Sequence, residues 1–445
     1  MAKFNYAVCY QVKATCLSPL RTGGSDGTLL LDGDGQYFIQ GSSIAGVLRS
    51  YLTREQGEDA ASHLFGDARG SGTDSLLTVS DGTFSTAPEA QHRPRLRIDR
   101  RTGTGEDGKF FETDGLPVGA ELSFQLLLKL QVPMEQLQSK EVAQEQETVE
   151  QLLQAMHTGV ITLGGQRSNG FGAVELEVSR QCYDLTDEAD RMAWIRDEAP
   201  VRTERLMLKD GKEQGSSFVL TGHMPSVFVR SGHTEAEKKK QEEKSEEEAK
   251  KRKSIALPMK ELGQCLLPAS SIKGCVRSQA ERIAAYLGRE ELISSLFGQE
   301  AERGFTGTAA KLRVHECQIE AVKEKIDITR TRINRFTGGV MEKKLFSLRP
   351  VSGKVTIQVD LVRPTTEQER AILFYALRDL AAGLYGIGSG GTVGYGYLMD
   401  AALTVHDGEK SCTFYYDEHQ NQTVDGTAEV VESWLNALEK GGAPA

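Results

Sequence analysis

The sequence predicts an α+β chain of two tandem ferredoxin-like domains, each in the RRM-like βαββαβ order. Three observations predict it. "GSSIAGVLRS" at residues 41–50 returns 228 positions later as "ASSIKGCVRS" at 269–278, with two serines, an isoleucine, a glycine and an arginine in one register. Further landmarks recur in the same order at offsets between 222 and 235. They are "LFG" at Leu64 and Leu296, "RIDRRTG" at Arg97 with "RINRFTG" at Arg332, and "PVGAELSFQL" at Pro117 with "PVSGKVTIQV" at Pro350. Each copy also closes on a helix and a glycine-rich turn, "LGGQRSNGFGAVELEV" at Leu163 and "YGIGSGGTVGYGYLMD" at Tyr385.

Taken in order, "YAVCYQVKA" mixes β-branched and aromatic residues in partial alternation, as a half-buried strand does. "SSIAGVLRSYL" starts at an N-cap serine and sets Ile44, Val47, Leu48 and Tyr51 on one helical face. "ELSFQLLLKLQV" is an apolar strand, and "FGAVELEV" is the last one. "ETVEQLLQAMH" and "ERAILFYALRDLAAGL" are amphipathic helices that stop just before their glycine turns. The expected boundaries are a first domain over 1–185, a linker over 186–212 and a second domain over 213–403. A C-terminal extension over 404–445, with "CTFYY" and "EVVESWLNALE", packs on the second domain. Residues 234–253 hold seven glutamates and eight basic residues with nothing more apolar than alanine, so they form a solvated helix or a disordered loop.

The 445 residues exceed one ordinary domain, and 39% hydrophobic with 26% charged residues is a globular balance. No window approaches the roughly eighteen apolar residues of a membrane span, and the first residues lack a signal-peptide core. A cytoplasmic protein without a membrane partner is expected. Cys9, Cys16, Cys182, Cys265, Cys275, Cys317 and Cys412 form no C-x-x-C pair and read as reduced thiols. The eight histidines show no zinc-binding spacing. A net charge of −10 counts against a simple nucleic-acid coat. Locally, however, the arginine-rich "HRPRLRIDRR" (92–101) and "ITRTRINR" (328–335) are compatible with a narrow polyanion track.

Ser42 and Ser43 fall where a helix begins, so their hydroxyls and the free N–H groups of the first turn offer a phosphate seat. Ser270 and Ser271 repeat the arrangement; Lys273 adds a cation, and Arg49 and Arg277 follow one to two turns on. Capping is the alternative use, but the same arginine in both copies favours phosphate. The glycine turns allow close backbone approach, with Gln166, Arg167, Ser389 and Thr392 as donors, yet neither is a dinucleotide or P-loop pattern. A tight turn needing positive φ is the structural alternative. Phe110, Phe111, Leu345 and Phe346 sit in otherwise polar insertions, where they pack or wedge between bases. Asp26, Asp32 and Asp34 crowd a glycine-rich loop before the first serine pair. Turn chemistry accounts for Asp32 and Asp34, while Asp26 stays open between a turn and an acid–base or cation-binding role.

Together these residues resemble the RAMP superfamily of CRISPR-associated proteins, in particular backbone subunits of type III effector complexes. "GGSDGTLLLDGDGQYFIQGSSIAGVLRS" is similar to the family's N-terminal signature, and the resemblance spans both copies through residue 400. Two tandem copies look like a fused double-backbone subunit, as in type III-D-like systems. The resemblance implies RAMP domains with thumb-like hairpins near 98–117 and 333–350, bearing Phe110, Phe111, Phe336 and Phe346, that flip bases of the bound strand. It implies a palm that holds CRISPR RNA through Ser42, Ser43, Arg49, Arg97, Arg100 and Arg167 in the first copy. In the second copy the corresponding set is Ser270, Ser271, Lys273, Arg277, Arg332 and Arg335. Asp26 would cleave complementary target RNA beside a flipped base, with a divalent cation (Mg2+) at the same residue, leaving a 2′,3′-cyclic phosphate. The implied partners are CRISPR RNA, target RNA, other RAMP-family subunits and a large subunit, in antiviral defence. The second copy has no aspartate before its serine pair, and the catalytic place falls near Ile255, so it is expected to bind RNA without cutting or to use another residue. Ala45 stands where the signature has lysine, which weakens the first phosphate grip. The competing reading is a structural RNA-binding subunit whose aspartates only make turns. A stand-alone nucleotide-binding enzyme has little support.

Overall fold

Alternate residues of Tyr6–Cys16 (Tyr6, Val8, Tyr10, Val12, Ala14, Cys16) enter one core, while Ala7 and Cys9 join a smaller cluster on the opposite face. Burial on both faces makes this segment, β1, the centre of its sheet. The computed structural model describes residues 4–23, 28–67, 74–99, 102, 104–132, 140–209, 216–234, 255–299, 307–324, 326–417, 419 and 421–440. The chain divides into two compact units, Met1–Gln91 with Asp114–Glu213, and His92–Thr113 with Gln214–Ala445.

In the first unit β1 is followed by β2 (Phe38–Ile39), helices α1 (Gly41–Gln56) and α2 (Glu58–Phe65), and short strands β3 (Leu77–Val79) and β4 (Gly82–Phe84). The chain then leaves for a hairpin, β5 (Gln91–Ile98) and β6 (Gly105–Gly115), most of which belongs with the second unit. It returns as β7 (Glu121–Leu130), α3 (Lys140–His157) and β8 (Val174–Asp184). The sheet runs β2-β4-β7-β1-β8, with β3 also on β7; β1 is antiparallel to both β7 and β8. The expected βαββαβ order is therefore present. Ile44, Leu48 and Leu52 of α1 and Val149, Leu152, Leu153 and Met156 of α3 share one core against the sheet.

Of residues 186–212, read from sequence as a linker, those described, 186–209, include a helix and a strand. Helix α4 (Glu188–Arg196) is capped by Asp187, and β9 (Thr203–Leu206) pairs with β8. Trp194 of α4 stacks edge-on against Phe4 and Tyr183, covering the second face of β1. That face needs a cover because Ala7 and Cys9 point into it.

The second unit begins with β10 (Ser217–Val227), β11 (Arg230–Thr234), β12 (Ile255–Pro258), β13 (Lys260–Glu261) and β14 (Gln264–Leu267). Next come α5 (Ala269–Leu287), α6 (Glu291–Phe297), β15 (Leu312–Val314) and β16 (Cys317–Glu324). A hairpin of β17 (Ile328–Ile333) and β18 (Val340–Leu348) precedes β19 (Val351–Leu361), α7 (Glu367–Ala381) and β20 (Met399–Asp407). Its sheet is ordered β13-β14-β16-β19-β10-β20, with β15 on β19, the same plan as the first. The expected second-domain limit at 403 falls inside β20. Beyond it β21 (Lys410–Tyr416) and β22 (Gln422–Gly426) extend the same sheet, and α8 (Glu429–Lys440) buries Trp434 against Phe218. The charge run 234–253 lies, apart from Thr234, outside the described residues.

Among the described residues no helix is long and apolar enough to cross a membrane. All seven cysteines are free thiols.

Candidate nucleic-acid interface

The cap of α1 is Gln40, not a serine: the Gln40 carbonyl accepts the Ser43 and Ile44 amides, and the Gln40 side chain makes no capping bond. Ser42 and Ser43 lie in the first turn with exposed hydroxyls. The Gly41 amide donates to Asp81 Oδ1 at 2.7 Å, which puts a carboxylate at the positive end of α1. A Cβ on Gly41 would collide with the Val79 and Ser80 carbonyls, so this helix start is pressed against the β3–β4 turn. In the second unit Pro268 is the cap and Ser270 and Ser271 are half-buried. Lys273 is half-buried one turn in, and burial, with Arg277 nearby, pushes its ammonium down to about 8.

Arg49 and Arg277 are used by the fold. Arg49 donates to the Gly66 carbonyl (2.9 Å), to Glu58 and to Ser62. Arg277 donates to the Gly298 carbonyl (3.3 Å) and to Glu281, above the Phe297 ring. Both tie the serine-pair helix to the glycine of "LFG". The repeated arginine is thus explained by a repeated structural bond, and the phosphate role expected for it gains nothing from the repetition.

The glycine turns are built alike. Gly165 N–H donates to the Arg21 carbonyl (2.9 Å) and Gly172 N–H to that of Pro19 (2.9 Å); Ser389 N–H donates to Phe228 (2.8 Å) and Gly396 N–H to Ser226 (2.7 Å). A Cβ on Gly164 or Gly388 would strike the Arg21 or Phe228 carbonyl. Both sit at positive φ, +69° and +91°, so glycine is required twice over. The turn therefore clasps the chain just after the first strand, at the base of the loop that carries Asp26 in the first copy. These twin bonds equate Arg21 with Phe228, so the similar stretches "RTGG" at Arg21 and "RSGH" at Arg230 lie two residues apart in structural register. Arg167 is exposed within the first turn, and Gln166 adopts φ +61°, where the second copy has Gly390.

The hairpins expose apolar side chains. Phe110, Phe111, Leu345 and Phe346 are more than half exposed, and Phe336 at the second tip is fully exposed. That tip is ordered by Asn334, whose Oδ1 accepts the amides of Phe336 (2.8 Å) and Thr337 (3.3 Å). Arg332 and Arg335 are exposed beside it. Arg97 is exposed on β5 with Glu106 at 3.2 Å. Arg93, part of the same basic stripe, is buried between Glu261 and Glu316 of the second unit. Sequence reasoning missed Arg330, which donates to the Tyr395 hydroxyl at 2.7 Å with its guanidinium 4.8 Å above the ring. The available signal was an aromatic between the last two glycines of each turn, Phe171 and Tyr395.

Asp26 and Arg100 lie outside the described residues. The base of the Asp26 loop is fixed: Leu30 N–H donates to Thr22 Oγ1, joining its two ends. Asp32 is spent on a turn, its Oδ1 accepting the amides of Asp34 (3.0 Å) and Gln36 (2.8 Å). Among the described residues no three His, Cys, Asp or Glu side chains gather to hold a metal ion. They supply no ligand set for the implied divalent cation, which would depend on Asp26.

A comparison with curated proteins found no match. The family model described as RAMP superfamily matches residues 13–175 and 258–398. Each stretch runs from a first strand or serine-pair helix to a glycine turn, and together they cover more than half of the chain. The chain belongs to the RAMP superfamily, with two RAMP domains in tandem.

Proposed function

We propose that this chain is a CRISPR RNA-binding backbone subunit of a type III effector complex, acting in antiviral defence in the cytoplasm. Its first domain would cleave complementary target RNA at regular intervals. Membership of the RAMP superfamily suggests a CRISPR-associated RNA-binding subunit. The observation that best supports RNA binding is the second hairpin tip. A fully exposed phenylalanine on a turn held by Asn334, flanked by exposed Arg332 and Arg335, joins a stacking group to phosphate-seeking cations. Ser42, Ser43, Ser270, Ser271, Lys273, Arg97 and Arg167 are the further contacts to the RNA backbone in this reading. Other RAMP-family subunits and a large subunit complete the assembly.

For cleavage, Asp26 takes the proton of the target 2′-hydroxyl, and that oxygen attacks the adjacent phosphorus. The 5′-oxygen of the next nucleotide leaves and is protonated, giving a 2′,3′-cyclic phosphate and a 5′-hydroxyl end. In this reading Asp26 would hold Mg2+, which would offset negative charge on the scissile phosphate. The second reading, a non-catalytic structural subunit, is favoured by Asp32, which shows an aspartate of the same loop doing turn work alone. Asp26→Ala in the complex assembled on a guide RNA separates the two. Loss of the cuts served by the first domain, with RNA still co-purifying, is expected. Unchanged cutting at every position overturns the catalytic reading.

A further inference from the structure

Tyr395 lies between two groups. Its ring packs on Gly390, where an added Cβ would come within 2.8 Å of Cδ2, and the Arg330 guanidinium covers it 4.8 Å from the centroid. The ring is buried, at 6% exposure, and Arg330 is half-buried. The same guanidinium donates to the Tyr395 hydroxyl at 2.7 Å. Arg330 is on β17, opposite Phe346 of β18, and Tyr395 is in the glycine turn. The turn also meets α5, because the Gly388 amide faces the Cys275 thiol. One side chain therefore joins the hairpin that carries Phe336 to the turn that adjoins the serine-pair helix. A stacked guanidinium with one directed hydrogen bond fixes both distance and angle, which a single contact would not. The first copy has Phe171 at the equivalent place, which can accept no such bond.

We infer that Arg330 is a positioning residue, latching hairpin β17–β18 to the glycine turn of the second domain so that Phe336 and the phosphate-binding elements keep a fixed separation. This rests on the RNA-binding reading above. The latch acts through geometry and not through contact with RNA, so its signature is coupling without a change in charge neutralisation.

The test uses the full chain, a single-stranded uridine oligonucleotide, and the variants Arg330→Gln, Tyr395→Phe and Phe336→Ala. Arg330→Gln should lower affinity about tenfold, while the slope of log affinity against log salt stays at the wild-type value. In that background Phe336→Ala should cost far less than it does alone, because a misplaced wedge has little left to lose. Tyr395→Phe keeps the ring under the guanidinium and should give a smaller loss; it carries the test where Arg330→Gln does not fold. A salt slope reduced by about one would make Arg330 a direct phosphate ligand and overturn the proposal. So would wild-type affinity in Arg330→Gln, or strictly additive losses with Phe336→Ala. If the wild-type chain bound no RNA, the RNA reading itself would fail. The latch is then judged by amide exchange in Val340–Leu348, where unchanged protection in Arg330→Gln overturns it.

Discussion

Lys273 is charged at low pH only against the cost of its burial, with Arg277 as a like-charged neighbour. Its ammonium is held down to about 8 from an ordinary 10.5, so the charged lysine destabilises the fold below about 8, and that cost fades as pH rises towards 10.5. A phosphate bound at the start of α5 favours the charged form, so above about 8 its binding is coupled to protonation of Lys273. RNA affinity should therefore be level below about 8 and fall as pH rises through it, and Lys273→Arg should flatten the decline. Fluorescence anisotropy of a labelled single strand across that range checks this, and an equal decline in the arginine variant would exclude Lys273. Arg49 shows why such roles are only partly legible in sequence. An arginine two turns into a helix reads as a phosphate ligand, but one of its partners, the Gly66 carbonyl, is 17 residues away. Nothing in a linear pattern distinguishes a carbonyl from a phosphate as the acceptor.

Among the elements, the βαββαβ order was readable because strand alternation, helical spacing and glycine stops all recur twice. The serine-pair helices were located correctly but their caps were not, since Gln40 and Pro268 close the first turns through backbone carbonyls. Helix α7 is the opposite case, with a capping box in which Thr366 Oγ1 accepts the Glu369 amide and Glu369 accepts that of Thr366. Burial pushes the Glu369 carboxyl up, yet Lys311, the Ser295 hydroxyl and the Thr366 amide hold it below its ordinary value of 4.5. A lowered carboxylate contributes stability that is complete above its unfolded value and disappears as pH falls through the folded one. Lys311→Met leaves this carboxylate, 1% exposed, without its cation. We expect the second unit to lose about 3–5 kcal/mol at neutral pH, a deficit that shrinks as pH falls and the Glu369 carboxylate is protonated. Glu369→Gln, which keeps the capping geometry, should be milder. Urea unfolding at neutral and acidic pH reads both, and equal stability of Lys311→Met and wild type would remove Lys311 from the account.

At the scale of the whole molecule, the two compact units do not follow the linear order of the repeat. Residues 92–113 lie in sequence between β4 and β7 of the first unit but belong with the second. The bond behind this is buried: Arg93, its side chain 6% exposed, sits between Glu261 and Glu316, and Glu261 is pushed up by burial despite the arginine. The partners are 168 and 223 residues away, so the sequence could only show Arg93 as one more member of a basic stripe. Arg93→Met would leave two buried carboxylates facing one another, a cost of about 3–5 kcal/mol. Because a chain of two units need not unfold in one step, the loss should fall on one transition. The prediction is that the second unit unfolds earlier, trypsin gains access to Arg95 and Arg97, and the amides of β1, β7 and β8 keep their protection. Exchange mass spectrometry during denaturant titration follows all three segments at once. If protection in β1, β7 and β8 fell in step with that of β10 and β19, the hairpin would belong energetically to the first unit, and the division of the chain at residues 92–113 would be wrong.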